Sequence, residues 1–392
     1  MQNKFYLTPE IQKQNLTFFQ IFIVIWSTSN ILFGGVPMTG GFYFNHILIL
    51  LLFIIAVLVK PKIFAYKIFW LIVFVMFIFS TSSYLVDGFN NTRFFQEHFK
   101  LLLILLGSLA ICNSVNWKIV NLLTILLPSL LLTEAIVVSI YNLGFYYGNS
   151  MSFGIPVFGG PNTTGFVLSL AICSSLYNVV NPERSSSLRI FSCLLFFGLF
   201  LTLYNTNSDA ALISTLLVFL RYIGLKLNKI FYILFFIFII SLLLIWSGYI
   251  ILPELAGSGR LFIWALLLSD YIFSSPINWI FGFGPGGVNI EPDFTRLVQS
   301  AHSTYIEILY SYGLFGLIIL VLSINLIYKK IKKQYISNSR QKFIDSIFLI
   351  TVVSFLFDTH FLTAHISWIG SLIIGISISR MPFFKYIREP RL

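Results

Sequence analysis

Long apolar runs separated by short polar turns repeat along almost the whole chain. Each run is roughly seventeen to twenty-five residues, enough for a helix to cross about 30 Å of hydrocarbon. The pattern predicts twelve spanning helices, at 17–34, 43–59, 67–86, 99–115, 119–141, 162–180, 189–205, 208–225, 230–250, 304–328, 343–359 and 364–379. A β-barrel would show short alternating segments instead. The rhythm breaks at 251–303, a loop far longer than the dozen or so residues of an ordinary connection. Inside it, RLFIWALLLSDYIF (Arg260–Phe273) is apolar but short. Ser258 can cap this segment and Pro276 ends it, so it predicts an interfacial or re-entrant helix. A smaller loop, GFYYGNSMSFGIPVFGGP at 144–161, is rich in glycine and aromatics and is expected to line a cleft at lipid level.

Composition agrees with this pattern. Only 10% of residues are charged, against about 25% in a soluble domain. The chain therefore reads as an all-α, polytopic membrane protein. Met1–Gln14 is polar and no small-residue cleavage site follows, so no cleavable signal is expected. Cys112, Cys173 and Cys193 sit in apolar runs without metal-ligand spacing and are expected to pack as small residues.

Charge sets the expected orientation. With a cytoplasmic N-terminus, 21 of the 25 basic residues fall on cytoplasmic segments, as topology rules require. Arg93, Lys100, Arg260 and Arg296 remain outside. The net charge of +11 is thereby explained by anchors facing anionic lipid, and no nucleic-acid partner is needed. The layout divides into nine helices over 1–250, the external loop 251–303, and three helices with a basic cytoplasmic tail over 304–392.

The four outer basic residues can be weighed singly. Arg260 opens the short apolar helix, where a guanidinium either snorkels to headgroups or pairs with phosphate in a two-pronged fork. Arg296, in EPDFTRLVQS, reads as a solvated loop charge. Arg93 and Lys100 flank the fourth span as helix-end anchors. His302 precedes Thr304-Tyr-Ile-Glu307, which reads as a capping box with Thr304 capping and Glu307 reaching back. His302 would then sit before a helix N-terminus that favours anions. It is either a solvated loop residue or a base working near neutral pH. GFGPGG (282–287) lacks the strand and helix of a phosphate loop and reads as turns. His360 and His365 have no carboxylate-rich metal setting. Asp209 reads as a cap, Pro128 as a kink, and Glu134 as a carboxylate facing a cavity.

The order of these features resembles the bacterial O-antigen and capsule polymerase/ligase superfamily. SGRLFIW (258–264) resembles that family's Arg before an apolar-Trp helix. INWIFGFGPGG (277–287) is similar to its apolar and Gly-x-Gly stretch. AHSTYIEILYSYGLFGLI (301–318) is similar to its histidine helix start, and GGPNTTGF (159–166) to an Asn-centred segment. The match covers about a sixth of the chain, roughly 258–318. The family's Asn after the histidine is Ser303 here, so no amide role carries over.

The resemblance implies a GT-C-like membrane glycosyltransferase that needs no metal or other cofactor. It would join undecaprenyl-diphosphate-linked oligosaccharides on the outer face of the bacterial inner membrane. His302 would be the base and Arg260 the diphosphate clamp. Arg296, Arg93, Lys100 and Asn162 would contact substrate. Inversion at the anomeric carbon is expected. A chain-length-regulating co-polymerase is the partner the family implies. The nearest alternative is an O-antigen ligase acting on lipid A–core. A cell-wall glycan polymerase of the shape, elongation, division and sporulation family would be expected to carry a catalytic carboxylate in its loop. A lipid-linked oligosaccharide flippase would be expected to show two similar halves and midplane charges, which this pattern lacks.

Overall fold

A computed structural model describes residues 17–38, 42–59, 92–112, 115–143, 152–226, 260–284, 301–332, 338–357 and 367–378, with isolated positions at 70, 74 and 229. Among these residues the protein is all-helical, apart from one backbone bridge between Pro37 and Tyr43. The helices are α1 (Phe18–Phe33), α2 (Phe44–Val59), α3 (Thr92–Cys112), α4 (Trp117–Ile140), α5 (Pro161–Val180) and α6 (Ser186–Asn205). They continue with α7 (Asp209–Ile223), α8 (Arg260–Ile272), α9 (Pro276–Phe281), α10 (Thr304–Lys332), α11 (Asn338–Phe357) and α12 (Ser367–Ile378).

Ten of the twelve predicted spans coincide with helices, while 230–250 and all of 67–86 but positions 70 and 74 lie outside the described residues. Among those residues, four helices are long and apolar enough to cross a membrane: α4, α5, α6 and α10. At 16 residues each, α1 and α2 are shorter than the roughly twenty a full crossing needs. Length suffices in α11, but Arg340, Lys342 and Asp345 crowd its first half. The outer surface supports a lipid setting. Along α6, the exposed residues Ile190, Leu194, Phe197, Leu201 and Tyr204 form one apolar stripe at helical spacing.

The central helix is α5, with 72% of its apolar window buried. It packs against α4, α6, α7 and α11. Small residues permit the close approach. A Cβ at Gly165 would meet Ser208 and Ala211 of α7 at under 3 Å. The Ser169 hydroxyl donates to the Ala211 carbonyl at 3.1 Å. On the other side of the bundle, Trp26 of α1 meets Trp368 of α12 edge-to-face at 6.1 Å. An apolar cavity of about 80 Å³ lies between α1, α4, α5, α11 and α12. Glu134 is not among the residues lining this cavity.

Pro128 lies inside α4, which continues on both sides of it. Proline removes the hydrogen bond that would reach the carbonyl four residues back. That carbonyl belongs to Thr124, and the Asn178 amide of α5 donates to it at 2.9 Å. Asp209 also departs from expectation. It is the first residue of α7 rather than its cap, and Ser208 holds the cap position.

Helix-to-helix contacts define two ends. The starts of α2, α3, α5, α7, α10 and α12 lie at one end, with the ends of α1, α4, α6 and α11. Three pairs give the sense of the packing: Ser303 with Phe355, Ser371 with Ile104 and Thr124 with Asn178. Lys118, Arg184, Arg189, Arg221, Arg340 and Lys342 lie at the opposite, basic end. Among the described residues, the predicted charge sorting is therefore present in three dimensions.

Candidate functional site

The site begins with two glycines. Gly313 interrupts α10 with φ 65° and ψ −167°, and Gly282 ends α9 with φ 77° and ψ −169°. Both lie in a region only glycine occupies freely. They also touch each other's backbones. A Cβ on Gly282 would sit 2.4 Å from the Ser311 carbonyl carbon, and one on Gly313 2.3 Å from the Ile280 oxygen. The break frees α10 carbonyls, which the Gly-x-Gly stretch takes. Phe283 N–H donates to Tyr310 at 2.8 Å and Gly284 N–H to Ser311 at 3.0 Å. The described part of GFGPGG, residues 282–284, is non-helical and bonds the broken helix, while 285–287 lie outside the described residues.

Helix α8 then runs alongside the first turns of α10. Leu267 and Tyr271 pack with Ala301 and Tyr310. The Tyr271 hydroxyl donates to the Trp279 carbonyl and accepts a bond from the Leu314 backbone. Burial pushes the Tyr271 phenol above its ordinary value, and the Leu314 bond partly offsets this. The Tyr310 hydroxyl donates to the Asp270 carboxylate, while the Phe283 and Tyr310 rings stack at 4.5 Å. The segment forms the short helix expected, and that helix packs back along α10. The hairpin follows α10 from Thr304 to Gly313, about 14 Å at 1.5 Å per residue.

The upper end of the hairpin carries the candidate chemistry. Trp264 Nε1–H donates to the Ala301 carbonyl at 2.7 Å, and the Ala301 N–H donates to the Glu307 carboxylate at 2.7 Å. Ser303 donates to the Phe355 carbonyl of α11 at 3.4 Å, and Tyr305 to Val352 at 3.3 Å. Ala301 and Ser303 are buried, whereas His302 between them is exposed. His302 adopts φ 49°, the left-handed region, which non-glycine residues adopt at a cost of about 1–3 kcal/mol. The chain is therefore pinned on both sides of a histidine turned out from the helix start.

The capping box is corrected in detail. Thr304 is the first helical residue rather than the cap, and Glu307 reaches Ala301 rather than Thr304. Its structural role stands, with a different partner.

The structure brings the first turns of α8 against the turn that holds His302. Arg260 is the first residue of α8, one turn before Trp264. Trp264 is bonded next to His302. The Arg260 side chain lies outside the described residues, as do Ser258, Arg296, His360, His365 and the Arg93 side chain. Lys100 and Asn162 share the His302 end on other helices. Lys100 is on α3, and α12 packs against both α3 and α10. Asn162 is the second residue of α5, and α11 packs against both α5 and α10. The described part of the loop before Asn162, 152–160, is packed against the bundle, while 144–151 lie outside the described residues. Phe158 is fully buried, the Thr164 hydroxyl accepts from Ile155 N–H at 2.9 Å, and a Cβ at Gly35 would strike the Val157 carbonyl.

Sequence reasoning missed Trp264 as an anchor and the Tyr310–Asp270 pair. The tryptophan had a signal, one turn after the only basic residue of the short helix. The chain matches no protein-family model and no curated relative.

Proposed function

We propose that this protein is an O-antigen or capsular polysaccharide polymerase. It joins oligosaccharide repeat units carried on undecaprenyl diphosphate, on the outer face of the bacterial inner membrane. The observation that carries the reading is the bond from Trp264 to Ala301, which couples the helix opened by Arg260 to the turn that presents His302. A base and a cation on one rigid hairpin suit transfer from a diphosphate donor, where charge develops on the leaving group.

In the proposed step, His302 takes the proton of the acceptor sugar hydroxyl. The hydroxyl oxygen forms a bond to the donor's anomeric carbon from the face opposite the diphosphate. The bond from that carbon to the diphosphate oxygen breaks, and the lipid diphosphate leaves with the electron pair. Arg260 meets its charge through paired hydrogen bonds. The configuration at the anomeric carbon inverts. Arg93, Lys100 and Arg296 are candidates to hold further phosphate oxygens, and Asn162 to touch sugar. Twelve spans, a GT-C-like arrangement and cytoplasmic termini belong to this reading, as does a chain-length-regulating partner.

The test is surface-polysaccharide length in a deletion strain complemented with wild type, His302→Ala or Arg260→Ala at matched membrane expression. Single repeat units on the lipid core in the deletion and both variants support the polymerase. Long chains retained on the carrier lipid would indicate a ligase. Units held unflipped on the inner face would indicate a flippase. Normal chains in both variants would remove His302 and Arg260 from the mechanism.

A further inference from the structure

The end of the bundle opposite His302 holds a second cluster that the transferase reading leaves unused. Arg184 lies in the turn between α5 and α6, and Arg340 in the first turn of α11. The Arg340 guanidinium lies 5.0 Å from the Trp117 ring centroid, and that of Arg184 lies 5.8 Å from the Tyr177 centroid. Arg340 pairs with Glu183 at 2.8 Å, but the Glu183 side chain is 50% exposed. Among the described residues, Arg184 hydrogen-bonds to neutral oxygens, the Asn121 carbonyl at 3.3 Å and the Thr124 hydroxyl at 3.5 Å. The Nε groups of both arginines are buried and meet no acceptor. Two cations therefore share one half-exposed carboxylate.

The surroundings add to the positive field. Burial pulls Arg184 below its ordinary value. Tyr177 and Glu183 oppose this, and the Arg340 charge adds to it. Three helices begin here, α4 at Trp117, α6 at Ser186 and α11 at Asn338. Each contributes the positive end of its dipole. Arg221, at the same end, makes the contrast. It pairs with Asp345 at 2.7 Å with both side chains largely buried, so its charge is already met.

We propose that Arg184 and Arg340 form a binding site for a phosphate-bearing anion at the basic end of the bundle, separate from the His302 site. Guanidinium forks match phosphate oxygens, and the Trp117 and Tyr177 rings back the two planes. The site does not depend on the transferase reading. A phosphate group can arrive there on an anionic phospholipid of the adjoining leaflet or as a free anion.

The experiment uses the full-length protein purified in detergent. Native mass spectrometry measures phosphatidylglycerol retention against phosphatidylcholine, and titration calorimetry measures inorganic phosphate and pyrophosphate. The Arg184→Gln/Arg340→Gln protein is expected to bind at least about tenfold more weakly, the loss of charged hydrogen bonds. Glu183→Gln, which removes the competing carboxylate, is expected to bind more tightly, and unfolding cannot produce a gain. Lys229→Gln, an exposed basic position at the same end, is expected to behave as wild type. Selective phosphatidylglycerol retention supports the lipid source, and phosphate or pyrophosphate binding without it supports the free anion. The proposal is overturned if wild type binds neither, or if the arginine double variant and Glu183→Gln both bind as wild type does.

Discussion

His302 carries a backbone cost and a proposed chemical role that separate experiments can read. Glycine accepts its φ of 49° without the side-chain penalty, whereas alanine does not. His302→Gly is therefore expected to melt at or above His302→Ala in detergent. Both should lose polymerisation by about 10²–10⁴-fold, the usual contribution of a general base. A His302→Gly protein that keeps wild-type chain growth would mean that the turn is structural. Gly282 and Gly313 give the opposite pattern. Alanine at either faces both positive φ and backbone contact under 3 Å, so each substitution should cost more than about 1 kcal/mol in thermal unfolding. Both glycines were visible in the sequence. Their mutual contact was not, because it joins residues thirty-one apart that only the returning hairpin brings together.

At the scale of elements, α4 and α8 each depend on a bond from outside themselves. The Thr124 carbonyl that Pro128 cannot bond is met by Asn178, so Asn178→Ala leaves this buried carbonyl without its amide donor. That should cost about 1–3 kcal/mol in chemical or thermal unfolding. Pro128→Ala restores an N–H that can reach the same carbonyl within α4, so the Asn178→Ala cost should shrink in that background. Equal costs in both backgrounds would dissociate Asn178 from the proline. For α8, Trp264→Phe keeps an aromatic ring but loses the indole N–H that donates to Ala301. Chain elongation should fall while membrane expression holds, and unchanged elongation would show that the anchor does not position His302. The existence of both helices was readable from apolar runs and caps. Their partners were not, since neither Pro128 nor Trp264 indicates locally which distant group it meets.

Across the whole molecule, the basic end is tied together by contacts far apart in sequence. Arg221 of α7 and Asp345 of α11 form a pair with side chains 13% and 6% exposed. Removing one member of a buried pair leaves its partner uncompensated, at about 3–5 kcal/mol. Asp345→Asn should lower the melting temperature well beyond Glu183→Gln, whose pair is exposed. Similar shifts for the two would mean that water reaches Asp345 freely.

The amino-acid pattern alone determined that the described chain is helical, where eleven of its twelve helices run, and that positive charge collects at one end. Those features follow from local hydrophobicity and from the position of each lysine or arginine relative to the nearest apolar run. Tertiary structure alone decided that the loop helix folds back along α10, that Gly282 meets Gly313, that Trp264 pins the turn at His302, and that Arg184 and Arg340 share one carboxylate. Each of these joins segments through backbone carbonyls, ring contacts or a common charge field. Such groups are present at nearly every residue, so their pairing is set by packing and leaves little mark on the sequence.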